Sequence, residues 1–152
     1  MTNKVLSIQP LNTNLASFLV RLILGCLIIT HGAAKIFSYD ETHSHFPDII
    51  GIGTELSLNL VIFAEFFCGI FIVLGFLTRL SAIPIFIDMC VAFFIAHAND
   101  PFAKKELALM FLLLSIAVFI LGSGKFSIDT LLFKKKHADS NLRQSKKISW
   151  SH

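Results

Sequence analysis

Charge is scarce in this chain: Asp, Glu, Lys and Arg make up 15% of 152 residues, while 55% are hydrophobic. So few charges would leave a water-soluble domain with apolar surface it could not cover. Cysteine is sparse too. Cys26, Cys68 and Cys90 are an odd number, each lies inside an apolar run, and there is no Cys-x-x-Cys pair, so neither a disulfide framework nor sulfur chemistry is expected. No nucleotide fingerprint, recognised haem motif or flavin site occurs. Among His31, His43, His45, His97 and Glu106 no pair stands at the i, i+3 or i, i+4 spacing of helical metal ligands, so no metal centre is expected. The basic residues are juxtamembrane and belong to no nucleic-acid-binding motif, which excludes nucleic acid as a partner.

What the chain has in quantity is apolar length, with 16 Phe and a mean hydropathy of +0.74. Runs at about 15–37, 56–77, 80–96 and 107–121 are long enough, or nearly so, to cross a hydrocarbon core of about 30 Å. They read as an all-α integral membrane protein, a four-helix antiparallel bundle embedded in the lipid bilayer. The first run carries Arg21, lacks a small-x-small cleavage site and precedes further spans, so it is a span and not a signal peptide. Phe37 to Glu55 is an acidic, wet loop whose periodicity does not decide whether it holds a short interfacial helix. Thr78-Arg79 is so tight a connection that the second and third runs must form a hairpin, and Pro84 lies near the start of the third. The fourth run is short, about 22 Å at 1.5 Å per residue, which brings Glu106 and Phe126 close to the interfaces. Gly122-Ser123-Gly124 ends it, and Ser127 is positioned to cap an interfacial helix from Ile128 to Lys136. The layout is thus a cytoplasmic leader (1–14), a membrane domain (15–126), and an interfacial helix with a basic cytoplasmic tail (127–152). Lys4, Arg79 and the basic tail put both termini in the cytoplasm of a multi-pass protein of the cytoplasmic (inner) membrane, although Lys104 and Lys105 argue the other way.

Ionisable side chains within these spans are costly and so point to a site. At about 100° per residue, Arg21, Gly25, Gly32 and Lys35 fall within about 40° of one line on the first helix, with His31 about 80° to one side. That face would let a second helix approach closely and would need polar partners on it. Depths counted from the cytoplasmic ends give two layers. Arg21, Asp88 and Glu65 form an inner layer at roughly 9, 12 and 18 Å, in which an Arg21–Asp88 or Arg21–Glu65 pair is within reach. His31, Lys35, His97, Asp100 and Glu106 form an outer layer. The structural reading of the inner layer is a buried ion pair that sets helix register; the functional one is proton transfer or ligand binding. The outer layer is either interfacial residues in headgroup water or a cleft in which His31 or His97 exchanges protons with a small molecule while Lys35 holds its oxygen. His31 and His97 also match in depth as bis-His haem ligands would, with nothing else in support.

Several segments together resemble the DoxX family of small four-span membrane proteins. They are Arg21-Leu-Ile-Leu-Gly25 leading to His31-Gly32-x-x-Lys35; Glu65 with Gly69 and Gly75; Thr78-Arg79-x-x-Ala82; Met89-x-x-Ala92; and Gly122-Ser-Gly-Lys-Phe-Ser-Ile-Asp129. Cys68-Gly69 stands where the family often has Gly-Gly. The resemblance implies a redox-associated inner-membrane protein, related to the DoxD subunit of a quinone-linked oxidoreductase and binding a quinone or small aromatic. His31, Lys35, Glu65 and His97 would be the proton-handling or orienting residues, with Arg21, Asp88 and Arg79 as structural or counter-charge groups. Without a cofactor motif, the electron carrier must be the quinone itself or sit on a protein partner in a redox complex. The alternatives are a non-catalytic anchor or assembly subunit, with the basic tail recruiting an enzyme, and a small transporter of toxic aromatics.

Overall fold

The computed structural model describes residues 12–48 and 51–132, so the expected leader up to residue 11 and the basic tail from residue 133 lie outside the described residues. The described chain is helical. Helix α1, Thr13–Phe37, starts where Asn12 Oδ1 accepts hydrogen bonds from the amides of Asn14 and Leu15 at 3.1 Å each, an N-cap that satisfies two otherwise free donors. Its last turn passes into a short helix, α2, Tyr39–His45, within the acidic loop. Helix α3, Thr54–Leu74, contains a π-helical stretch at Phe63–Phe67. It stops at Gly75, whose left-handed backbone (φ 68°) lets the amide of Phe76 reach Phe71 O at 2.9 Å. The second span therefore ends three residues before the Leu77 expected from hydrophobicity, because Gly75 closes the helix while the apolar run continues. Leu77 itself is left-handed (φ 46°), and α4, Thr78–Ala96, follows at once, so the hairpin is as tight as Thr78-Arg79 implied. Pro84 lies inside α4, and that helix too finishes in a π-helical stretch, Ala92–Ala96. Helix α5, Phe102–Leu121, begins after Pro101.

Three of these helices, α1, α3 and α4, are long and apolar enough to cross a membrane. The expected fourth span, 107–121, lies inside α5, whose first two turns carry Lys104, Lys105 and Glu106. Helix α1 packs on α3 and α5, α3 on α4, and α4 along α5. Between them lies an apolar core of Leu24 and Ile28 from α1, Cys68 and Ile72 from α3, Ala82, Ile85 and Met89 from α4, and Phe111, Leu112 and Val118 from α5. Leu19, Ile23, Leu27, Phe94, Leu113 and Ile120 lie on the outer surface, each at least 48% exposed. A surface this apolar is suited to lipid, and the protein is a multi-pass membrane protein.

Small residues set the spacing of α1 and α3. A Cβ on Gly25 would fall 2.9 Å from the carbonyl oxygen of Gly69, and one on Gly32 would fall 2.6 Å from the amide nitrogen of Phe66. The glycine line read from the sequence is thus the face on which α3 lies, running antiparallel, and it brings Glu65 beside the Gly32 turn of α1.

Candidate functional site

Two polar networks occupy opposite ends of the molecule. At the hairpin end Arg21 is completely buried, with Nη1 donating to Ile72 O at 3.2 Å and Nη2 to Phe126 O at 2.5 Å. Its guanidinium fills the space where Gly75 lacks a side chain. Arg21 pairs with neither Asp88 nor Glu65. Instead α1 turns Arg21 toward the C-terminal end of α3 and the turn after α5, away from the cavity that Asp88 and Glu65 line. Asp129 closes the same end, accepting from the amides of Leu77 at 2.8 Å and Thr78 at 3.2 Å and from the Thr78 hydroxyl at 3.3 Å. It supplies the N-cap that α4 lacks locally. Its place in the final motif was visible in the sequence, but its contact with the hairpin was not. Ser17 adds a hydrogen bond to Gly122 O at 2.6 Å, and Ser127 caps the turn of helix at 128–132 by accepting from the Thr130 amide at 3.2 Å. Arg79 borders an open depression of about 750 Å³ with Thr78, Gly122 and Ser123, and is separate from the other candidate residues.

At the opposite end a cavity of about 670 Å³ opens between the helices, and His31, Lys35, Glu65, Asp88 and His97 all line it. Its walls are otherwise mostly apolar, including Leu60, Phe63, Ile87, Met89 and Phe111. A volume of this size matches small-molecule sites, which combine apolar walls with a few fixed polar groups. The cavity draws on both inferred layers, with Glu65 and Asp88 from the inner one and His31, Lys35 and His97 from the outer one. Lys35 Nζ donates to Glu65 Oε2 at 2.5 Å, the two side chains being 23% and 7% exposed. Glu65 sits in the π-helical stretch of α3, a local widening often found at functional sites. His31 meets Phe111 edge to face, with ring centroids 5.5 Å apart.

Beyond the end of α4, His97 Nδ1 lies 2.8 Å from Asp100 Oδ2, and Lys104 Nζ is 3.7 Å from the other carboxylate oxygen. Asp100 is held below the ordinary carboxylate range, chiefly by the hydrogen bond from His97 and then by Lys104. Neither Asp100 nor Glu106 lines the cavity, whereas Lys104 does. Ser57 lines it too, a residue for which the sequence offered no signal. Its hydroxyl and Asp88 Oδ2 are buried without hydrogen-bond partners. Asp88, expected as a counter-charge, is therefore a cavity residue and has no salt-bridge partner among the described residues. Among the described residues no three His, Cys, Asp or Glu side chains gather to hold a metal ion.

The arrangement can hold a ring between apolar walls and offer its polar substituents two ammonium groups, two carboxyl groups, two imidazoles and a hydroxyl. The inner membrane protein YqjF of Escherichia coli is 36% identical over 121 residues, 76% of this chain and 90% of that protein. An uncharacterized membrane protein of Mycobacterium tuberculosis is 29% identical over 140 residues, 78% of this chain and 82% of the relative. A Haemophilus influenzae protein is 27% identical over 123 residues, 76% of this chain and 90% of its own. No solved structure matches. The DoxX family profile matches residues 16–98, which include Arg21, His31, Lys35, Glu65, Asp88 and His97, and the chain belongs to the DoxX family.

Proposed function

We propose that this protein binds a quinone or a similar small aromatic in the cavity between α1, α3, α4 and α5, and serves a membrane oxidoreductase complex whose electron donor sits on a partner subunit. The observation that carries this reading is the meeting of His31, Lys35, Glu65 and His97 around one largely apolar cavity of ring-accommodating size. In the proposal the walls hold the ring, the Lys35–Glu65 pair orients its oxygen substituents, and His31 and His97 exchange protons with the water outside. The test is extraction and mass spectrometry of the gently solubilised, purified protein, together with equilibrium binding of decylubiquinone in lipid nanodiscs. Saturable binding weakened by Glu65→Gln and His31→Ala is expected. A preparation that neither carries a quinone nor binds decylubiquinone would overturn the proposal.

The same reading takes α5 as a fourth crossing, with both termini in the cytoplasm. The way α5 packs along α4 and α1 supports this, as do Leu113, Phe119 and Ile120 on its outer surface. The charged turn at Lys104–Glu106 would then lie at the far interface. Reporter fusions at the C-terminus and in the 38–53 loop would test it, and reporters on the same side of the membrane would sink it.

A further inference from the structure

Within the cavity, pairing of Lys35 with Glu65 leaves Asp88 with no salt-bridge partner among the described residues. Among the described residues three buried side-chain polar atoms have no hydrogen-bond partner: Arg21 Nε, Ser57 Oγ and Asp88 Oδ2. Two of the three belong to residues of this one cavity, and Ser57 is only 7% exposed. Buried polar atoms are nearly always matched, so two orphans in one cavity are positions that the polar groups of a ligand, or ordered water in its absence, can satisfy. What the cavity lacks is set by their chemistry. The Ser57 hydroxyl can donate or accept and suits either oxidation state of a ring, whereas Asp88 in its ionised form can only accept and calls for a donor. The ammonium of Lys35 is already engaged by Glu65 at 2.5 Å. An oxidised quinone brings only carbonyl acceptors; its reduced form brings hydroxyl donors.

We propose that Asp88 is a ligand-contacting residue whose ionised carboxylate accepts, through Oδ2, a hydrogen bond from a ring hydroxyl, so that the cavity then selects the reduced, hydroxyl-bearing member of a quinone/quinol pair. This rests on the reading of the cavity given above. It changes Asp88 from a counter-charge that sets helix packing into a determinant of specificity, acting from α4 opposite the charge pair contributed by α1 and α3. No electron transfer is involved in the claim, which concerns binding alone.

The experiment is equilibrium binding of decylubiquinol and decylubiquinone, measured anaerobically in alkaline buffer, which favours the ionised carboxylate, on the full chain in lipid nanodiscs. For the wild type, quinol should bind on the order of tenfold more tightly than quinone, the scale of one hydrogen bond to a charged or strongly polar group. Asp88→Leu should remove that preference while leaving the fold intact, because it deletes an unmatched buried group and strands no partner. Asp88→Asn is the second variant. Its amide can donate to a carbonyl, so the preference should shift toward quinone, which a purely structural role would not produce. A wild type that binds both forms equally or favours quinone would overturn the role of Asp88 while leaving the quinone reading in place. So would a quinol preference that survives in either variant. If the wild type binds neither compound, both proposals fall.

Discussion

Lys35 and Glu65 join α1 to the π-helical stretch of α3 through a 2.5 Å contact between side chains that are both largely shielded from solvent. Removing one member of such a pair strands the other charge, at a cost of about 3–5 kcal/mol, whereas replacing both by apolar residues is often close to neutral. Lys35→Met should therefore destabilise the protein strongly, and Lys35→Met with Glu65→Leu should recover most of the loss. Thermal unfolding in detergent, followed by circular dichroism, reads both. A loss in the double variant equal to the sum of the losses in the two single variants would show that the pair is not coupled.

Asp129 caps a helix more than fifty residues away in sequence, accepting hydrogen bonds from the Leu77 and Thr78 amides. Loss of a capping carboxylate typically costs about 1–2 kcal/mol. Asp129→Ala should lower the melting temperature accordingly and speed hydrogen exchange at residues 77–81, with Asp129→Asn affected less. Unchanged exchange at the hairpin would refute the capping role.

Gly32 faces α3 so closely that an added Cβ would meet backbone, 2.6 Å from the amide nitrogen of Phe66 and 3.0 Å from the Glu65 carbonyl carbon. Backbone cannot swing aside, so Gly32→Ala must push α1 from α3, with an overpacking cost of about 1–3 kcal/mol. The displacement would also lengthen the Lys35–Glu65 contact. A Gly32→Ala protein with wild-type stability would show that the helices are not held this close.

Asp100 has its carboxyl below the ordinary range, first through the hydrogen bond from His97. A carboxyl depressed in the folded state stabilises fully above its unfolded value of about 3.9, and that contribution is lost as pH falls through the lower folded value. The turn at 97–101 should therefore hold its structure down to about pH 4 on this account and loosen only below it. A carbon-13 titration of the Asp100 carboxyl checks this. The midpoint should lie below the ordinary carboxylate value and rise in His97→Ala; a midpoint indifferent to that change would rule out the contact as its cause.

Much of the architecture was legible from residue order. The apolar runs marked the helices, Gly122 marked the end of the last, and the Arg21–Gly25–Gly32–Lys35 line marked the face that receives α3, whereas the stop at Gly75 lay within an apolar run. The site was legible in part: His31, Lys35, Glu65 and His97 do line one cavity. The pairing of charges was not. Depth along a helix places a residue in one dimension, while a hydrogen bond also depends on helix rotation and on which helix lies beside it. Arg21 and Asp88, expected within reach of each other, thus belong to opposite ends of the molecule, whereas Lys35 reaches Glu65 across an apparent gap because its side chain is long. Ser57 and Asp129 were hidden for the same reason, since each acquires its role only from what packs around it.

The sequence by itself determined that this chain is helical and enters a membrane, because the length of an apolar run and the chemistry of a cap act over a few residues. The tertiary structure alone decided which polar groups share a cavity and which are left unmatched. Those outcomes depend on glycine contacts that bring α1 and α3 together, and on long-range partners such as Lys35–Glu65, 30 residues apart, and Thr78–Asp129, 51 apart. No local pattern encodes such distances; they arise when the helices pack and each buried donor takes the acceptor then within reach.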